Sequence, residues 1–187
     1  MRTSFKITAV SLFFASFALL YAQDHNVAIN IHIGYPDIQG YGKRKMILEQ
    51  EELEAVVLYQ ISALSAYAKT FDLEVEGVRC HGALMDELNE NEQSAIVIAN
   101  AVKKASPWLN LIVQNQKTKE LVEKEGLKAA LEYEFNSTSS IREVREAQTA
   151  LGSKIDTIHF STLEDVKRAW DIIKPAPVNY ARVEQQI

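Results

Sequence analysis

Three histidines, His32, His81 and His159, each fall at the C-terminal end of a stretch that reads as a β-strand. In parallel α/β proteins those strand ends converge on one rim, where binding and catalysis take place. An imidazole there can give or take a proton near neutral pH. His25 precedes its strand and is expected on the opposite rim. After His32 the chain enters the loop Gly34-Tyr-Pro-Asp-Ile-Gln-Gly-Tyr-Gly42, followed by Lys43, Arg44 and Lys45. Glycines and a proline packed this closely fold a loop tightly enough for its backbone to approach a ligand. The alternative is a turn beside a surface histidine. His32, Asp37 and His81 could supply a nitrogen/nitrogen/oxygen set to a metal. No H-x-x-x-H or H-E-x-x-H spacing fixes such a set on one element, so no metal site is assigned. A G-x-S-x-G elbow and a glycine-rich P-loop are both missing from the sequence, which weighs against a serine triad and against the usual nucleotide cradle. Cys80, the single cysteine, excludes an internal disulfide and ends an apolar strand, where it reads as a small buried hydrophobe rather than a nucleophile.

These residues need elements to hold them. Val27, Ile29 and Ile31 form a β-branched strand that delivers His32. Leu48 to Phe71 is an amphipathic helix, with Val56, Val57, Ile61, Leu64, Tyr67, Ala68 and Phe71 following the 3.6-residue period and Glu51, Glu52 and Glu54 in its first turn. Leu73 to Cys80 is a strand leading to His81. Asn91 to Ala105 is a helix stopped before Pro107, and Leu109 to Val113 a strand. Lys117 to Glu125 is a helix closed by Gly126, and Lys128 to Phe135 a further strand. Ser139 to Leu151 reads as helix and Ile155 to Phe160 as strand. Ser161-Thr-Leu-Glu164 is a capping box opening a last helix, which Pro175 ends. The chain thus reads as five β-then-α units, which require a mainly parallel sheet with right-handed crossovers. One α/β domain is expected over residues 23–174, with an extended tail over 175–187.

The 187 residues are 47% hydrophobic and 24% charged, as in an ordinary globular domain. A net charge of −5 argues against a nucleic-acid partner held by bulk electrostatics. Arg2 and Lys6 precede an apolar run from Ile7 to Ala22. The pattern fits a signal peptide over residues 1–22, and hence export. The competing reading is an apolar helix leading into the first strand, in a chain that stays in the cytoplasm.

The loop resembles the signature G-A-H-P-[GS]-Y-P-D-x-x-G-F-G-R-R of the LamB/YcsF family, which forms the A component of bacterial ATP-dependent 5-oxoprolinase. His32, Gly34, Tyr35, Pro36, Asp37, Gly40, Gly42 and Arg44 match it, while Asn30, Ile31 and Ile33 depart from it. Arg79-Cys-His-Gly-Ala-Leu84 resembles the family's K-P-H-G-A-L. The similarity runs from about Tyr21 to about Glu132. It also covers Leu20 to Ile29, which looks like the family's L-A-x-x-H-x-V-A-I at the end of a barrel helix.

The resemblance implies a partial (β/α) barrel-like fold of the glycoside hydrolase/deacetylase type. It implies a component that opens the lactam of 5-oxoproline to glutamate at the expense of ATP, together with subunits B and C. Such chemistry needs activation of the amide carbonyl, by phosphorylation, and then attack by water with a positioned base. On this chain it suggests His32 and His81 for acid/base work, Asp37 to orient an imidazole and Arg44 for phosphate or carboxylate. Gly34, Tyr35, Gly82 and His159 would line the substrate site. The family's D-x-N-x-D-x-G-E and C-G-F-H-A-G-D motifs do not occur in the sequence, and Asn136-Ser137 stands where the family has an Asp-Arg pair. The second expectation is therefore a non-catalytic, exported remnant that binds a small carboxylate or a protein partner. Five strands do not close a barrel, which typically takes ~250 residues. The open edges would need covering by the tail, the N-terminal helix or a second copy of the chain.

Overall fold

The computed structural model describes residues 4–8, 19–20, 23–24, 28–135, 139–150, 156–160, 164–165 and 167–169. His25, the body of the last predicted helix and the tail lie outside them. The chain divides into two compact units, residues 1–132 and 133–187.

In the first unit, alternation along each strand separates two faces. The strands are β1 (Ser4–Thr8), β2 (Ala28–Ile33), β3 (Val75–Cys80), β4 (Asn110–Val113) and β5 (Lys128–Phe135), the last running across the unit boundary. They pair in sequence order and all in parallel, five strands curled into a half-barrel. Ile29, Ile31 and Ile33 point to one face with Val78, Cys80, Leu111 and Val113, all of them buried in one apolar cluster. Residues at the alternate positions share the other face, among them Asn30, His32, Arg79 and Glu132.

Helices cover the apolar face. The first, α1 (Gln50–Lys69), opens with a capping box between Glu49 and Glu52 and buries Leu53, Val57, Ile61, Leu64 and Ala68, spaced for one face. It packs on α3 (Glu92–Ala105) and on β2. Asn91 caps α3, accepting from the backbone N–H of Gln93 at 3.0 Å and of Ser94 at 3.3 Å. Likewise Asn115 caps α4 (Gln116–Lys124), accepting from Thr118 N–H at 2.8 Å. A helix not expected from the sequence, α2 (Ala83–Glu90), buries Ala83, Leu84, Met85, Glu87 and Leu88. Eight residues are too few for its periodicity to stand out beside the motif it continues.

Boundaries differ from expectation at the strands that lead to the site. β2 runs on through His32 to Ile33, and the predicted Leu73 start of β3 gives way to Val75 after a turn at Asp72, whose φ is 54°. The expectation of a signal peptide over residues 1–22 is not supported: Ser4–Thr8 pairs with Ala28–His32 as a strand of the sheet, and Leu19 belongs to the core. Among the described residues no helix is long and apolar enough to cross a membrane.

In the second unit the end of β5, α5 (Ile141–Ala150) and β6 (Thr157–Phe160) surround a small core of Phe135, Val144 and Ala169. The Arg168 guanidinium lies over the Phe135 ring at 5.3 Å. His159 stands on β6 in this unit, half-buried.

Candidate functional site

The loop after β2 is tied down at both ends. At its start, Gln60 of α1 accepts from Gly34 N–H at 3.1 Å and donates to Gly34 O at 2.9 Å. Both backbone groups of a loop glycine are thereby satisfied by one side chain. Tyr35 is buried, which pushes its phenol pKa up.

Asp37 organises the middle of the loop. Its carboxylate accepts from Gly40 N–H at 3.0 Å and Arg44 N–H at 3.4 Å. It also accepts from Arg44 Nε at 3.1 and 3.0 Å, and from Arg44 Nη2. Hydrogen bonding from Arg44 is the chief cause that holds its pKa down to about 2. The pair is asymmetric, with the Asp37 side chain 5% exposed and that of Arg44 65%. Arg44 Nη1 makes no hydrogen bond among the described residues. A β-carbon on Gly40 would sit 2.0 Å from Asp37 Oδ2, so only glycine lets the carboxylate fold back onto the loop. The partner of Asp37 is thus Arg44, not an imidazole. Lys45 is neutralised too, by Glu87 at 2.7 Å. Glu87 also accepts from Ser94 and Asn91, and these bonds, that to Lys45 foremost, lower its pKa. Pro36, Asp37, Ile38, Gln39, Arg44, Lys45 and Met46 line an open depression of about 490 Å³.

The far side of the loop closes against the end of β3. His81 N–H donates to Ile33 O at 2.7 Å, and Ala83 N–H donates to Gly42 O at 3.1 Å. Gly82 has a φ of 54°, and a β-carbon there would lie 2.6 Å from Gly42 O. The two glycine turns touch backbone to backbone. His81 Nε2 then donates to Tyr41 O at 3.0 Å.

His32 and His81 meet edge to face, ring centroids 5.1 Å apart at 72°. Behind them sits a group whose sequence signals only a replacement for the family's lysine. Arg79 is buried, and its Nη1 lies 3.0 Å from His32 Nε2 and 3.2 Å from Cys80 O. Its Nε reaches Glu132 at 3.0 and 2.8 Å, and Nη2 reaches the same carboxylate at 2.7 Å. In register, His32 aligns with Arg79, Arg79 with Ile112, and Ile112 with Ala130. Glu132 lies two residues beyond Ala130 on the same face, so the arginine reaches past β4 to find it. Arg79 and Glu132 are 53 residues apart, and no local pattern signals their meeting. Burial beside them takes Cys80 to a pKa of about 12, the behaviour of an inert thiol.

His32, Gly34, Tyr35, Asp37, Arg44, His81 and Gly82 therefore come together in the first unit, whereas His159 belongs to the second. Among the described residues no group of acidic, histidine or cysteine side chains is arranged to hold a metal.

Residues 16–156 match the model of the LamB/YcsF family. The chain belongs to that family. It is 42% identical over 116 residues to the 5-oxoprolinase A subunit of Thermus thermophilus, covering 62% of this chain and 46% of that protein. The protein of the same name from Alkaliphilus metalliredigens is 42% identical over 109 residues, 58% of this chain and 43% of the relative. This LamB/YcsF chain spans about half the length of the curated relatives it matches. The crystal structure of a lactam utilization protein from Thermus thermophilus superposes with a TM-score of 0.76 at 26% identity, covering 90% of this chain and 94% of that one.

Proposed function

We propose that this LamB/YcsF chain acts as the A component of a 5-oxoprolinase, opening 5-oxoproline to glutamate with subunits B and C and with ATP as co-substrate of the assembly. One observation carries the reading. The family loop is folded around the Asp37–Arg44 pair and closes directly on the facing rings of His32 and His81. In this reading Arg44, held by its Nε and Nη2, offers Nη1 to the substrate carboxylate. His81, with Nε2 committed to Tyr41 O, keeps Nδ1 as the nitrogen that can accept a proton from attacking water. Water adds to the lactam carbonyl carbon, the C–N bond breaks, and the departing nitrogen takes up a proton to become the glutamate amine. His81, having taken the proton from water, can return it to that nitrogen. No step on this chain is assigned to the nucleotide.

The test is reconstitution with subunits B and C, following glutamate release. ATP-dependent release that is lost in His81→Ala supports the reading, and assemblies inactive with the wild-type chain oppose it. A second reading, binding without turnover, is favoured by Asn136-Ser137 in place of the family's Asp-Arg pair. It predicts 5-oxoproline binding by a chain that never supports release.

A further inference from the structure

The two facing histidines are held by opposite kinds of contact. A guanidinium only donates hydrogen bonds. With Arg79 Nη1 at 3.0 Å, His32 Nε2 must be the acceptor, so its proton resides on Nδ1. His81 is the reverse case: a carbonyl only accepts, so the contact with Tyr41 O places the proton on Nε2 and leaves Nδ1 bare. A protonated His32 would set N–H against N–H and break the Arg79 contact.

Arg79 is not free to turn away. Glu132 grips Nε and Nη2, a two-pronged geometry that fixes the guanidinium plane. The remaining nitrogen, Nη1, is thereby aimed at His32 and at Cys80 O. Arg79 and Glu132 are each only 4% exposed, so water does not compete for these bonds. A lysine at position 79 could not serve both partners in this way, because an ammonium is a point charge without a planar fork.

We propose that Arg79, braced by Glu132, is a positioning residue that locks His32 in the Nδ1–H tautomer, the opposite of the tautomer that Tyr41 O sets on His81. Its value for lactam opening rests on the function proposed above, but the tautomer is a property of the free chain and is read without substrate.

The experiment is a long-range ¹⁵N–¹H correlation spectrum of the full chain, ring-labelled at histidine, at neutral pH. His32 is expected with Nδ1 protonated and Nε2 bare, and His81 with Nε2 protonated. An Nε2–H or doubly protonated His32 in the wild type overturns the proposal, whatever the variants do. In Arg79→Gln the His32 pattern should shift away from pure Nδ1–H while the His81 signals stay in place. An unchanged His32 pattern in folded Arg79→Gln also overturns it. Should that variant not fold, the wild-type spectrum decides alone. Failure to bind 5-oxoproline would count against the proposed function and leave the tautomer result standing.

Discussion

Asp37–Arg44 and Arg79–Glu132 are the same chemical pair in two settings. The first closes within one loop, its members seven residues apart, and leaves the arginine in water. The second spans 53 residues, joins β3 to β5 and is buried on both sides. The exposed pair shapes a loop and, in the proposed function, offers its cation to the substrate carboxylate. Its buried counterpart offers nothing to solvent and directs its spare donors to His32 and to the backbone. Screening makes the first worth little to stability. Desolvation makes the second strongly destabilising to break and nearly neutral to replace as a whole.

That contrast is most exposed to failure at the buried pair. Arg79→Met or Glu132→Ala, each leaving one charge stranded, should cost about 3–5 kcal/mol of stability, read from denaturant midpoints. The double variant Arg79→Met/Glu132→Leu should lose far less than either single change. Equal or additive losses would show that the pair is not acting as a desolvated unit. Next in size, Gly82→Ala should cost about 1–3 kcal/mol, because it forces a side chain into positive φ and against Gly42 O. A neutral result would mean that the two turns do not touch as described.

At the exposed pair the effect is on titration rather than on folding. Asp37 has its pKa held at about 2, below the ordinary ~3.9. A depressed carboxylate stabilises the fold above its unfolded value and loses that contribution as pH falls from about 4 through about 2. Carboxyl-detected NMR should place the Asp37 midpoint near 2 in the wild type and closer to the ordinary value in Arg44→Ala. The smallest effect is an absence of reaction. Cys80, with its pKa near 12, should resist alkylation in the native chain at pH 8 and react on unfolding, as mass spectrometry would show. Rapid labelling would mean that the strand carrying Arg79 opens readily.

How much is legible in the sequence follows the same division. The loop can be read because Asp37, Gly40 and Arg44 are neighbours in sequence and the bonds among them are local. The alternation of β2 and the single face of α1 point to the parallel α/β class. Gln60 is invisible as a loop clamp, since a glutamine at the solvent edge of a helix carries no signal until Gly34 lies beside it. Arg79 looks like a conservative replacement for lysine, and Glu132 like any acidic residue in a strand. Only the register, which carries Arg79 past Ile112 to Glu132, gives them a role. At the N-terminus composition shows only a basic start and an apolar run, and the pairing of Ser4–Thr8 with β2 has no local signal in the sequence.

The central claim is that the loop and the histidine pair form a site for a small carboxylate lactam, with Arg44 as its anchor. Calorimetric titration of 5-oxoproline into the wild-type chain and Arg44→Ala tests it most directly. Losing a charge-assisted contact should weaken binding about ten- to a hundredfold. Equal affinity in the two proteins would remove Arg44 from the site and contradict the account.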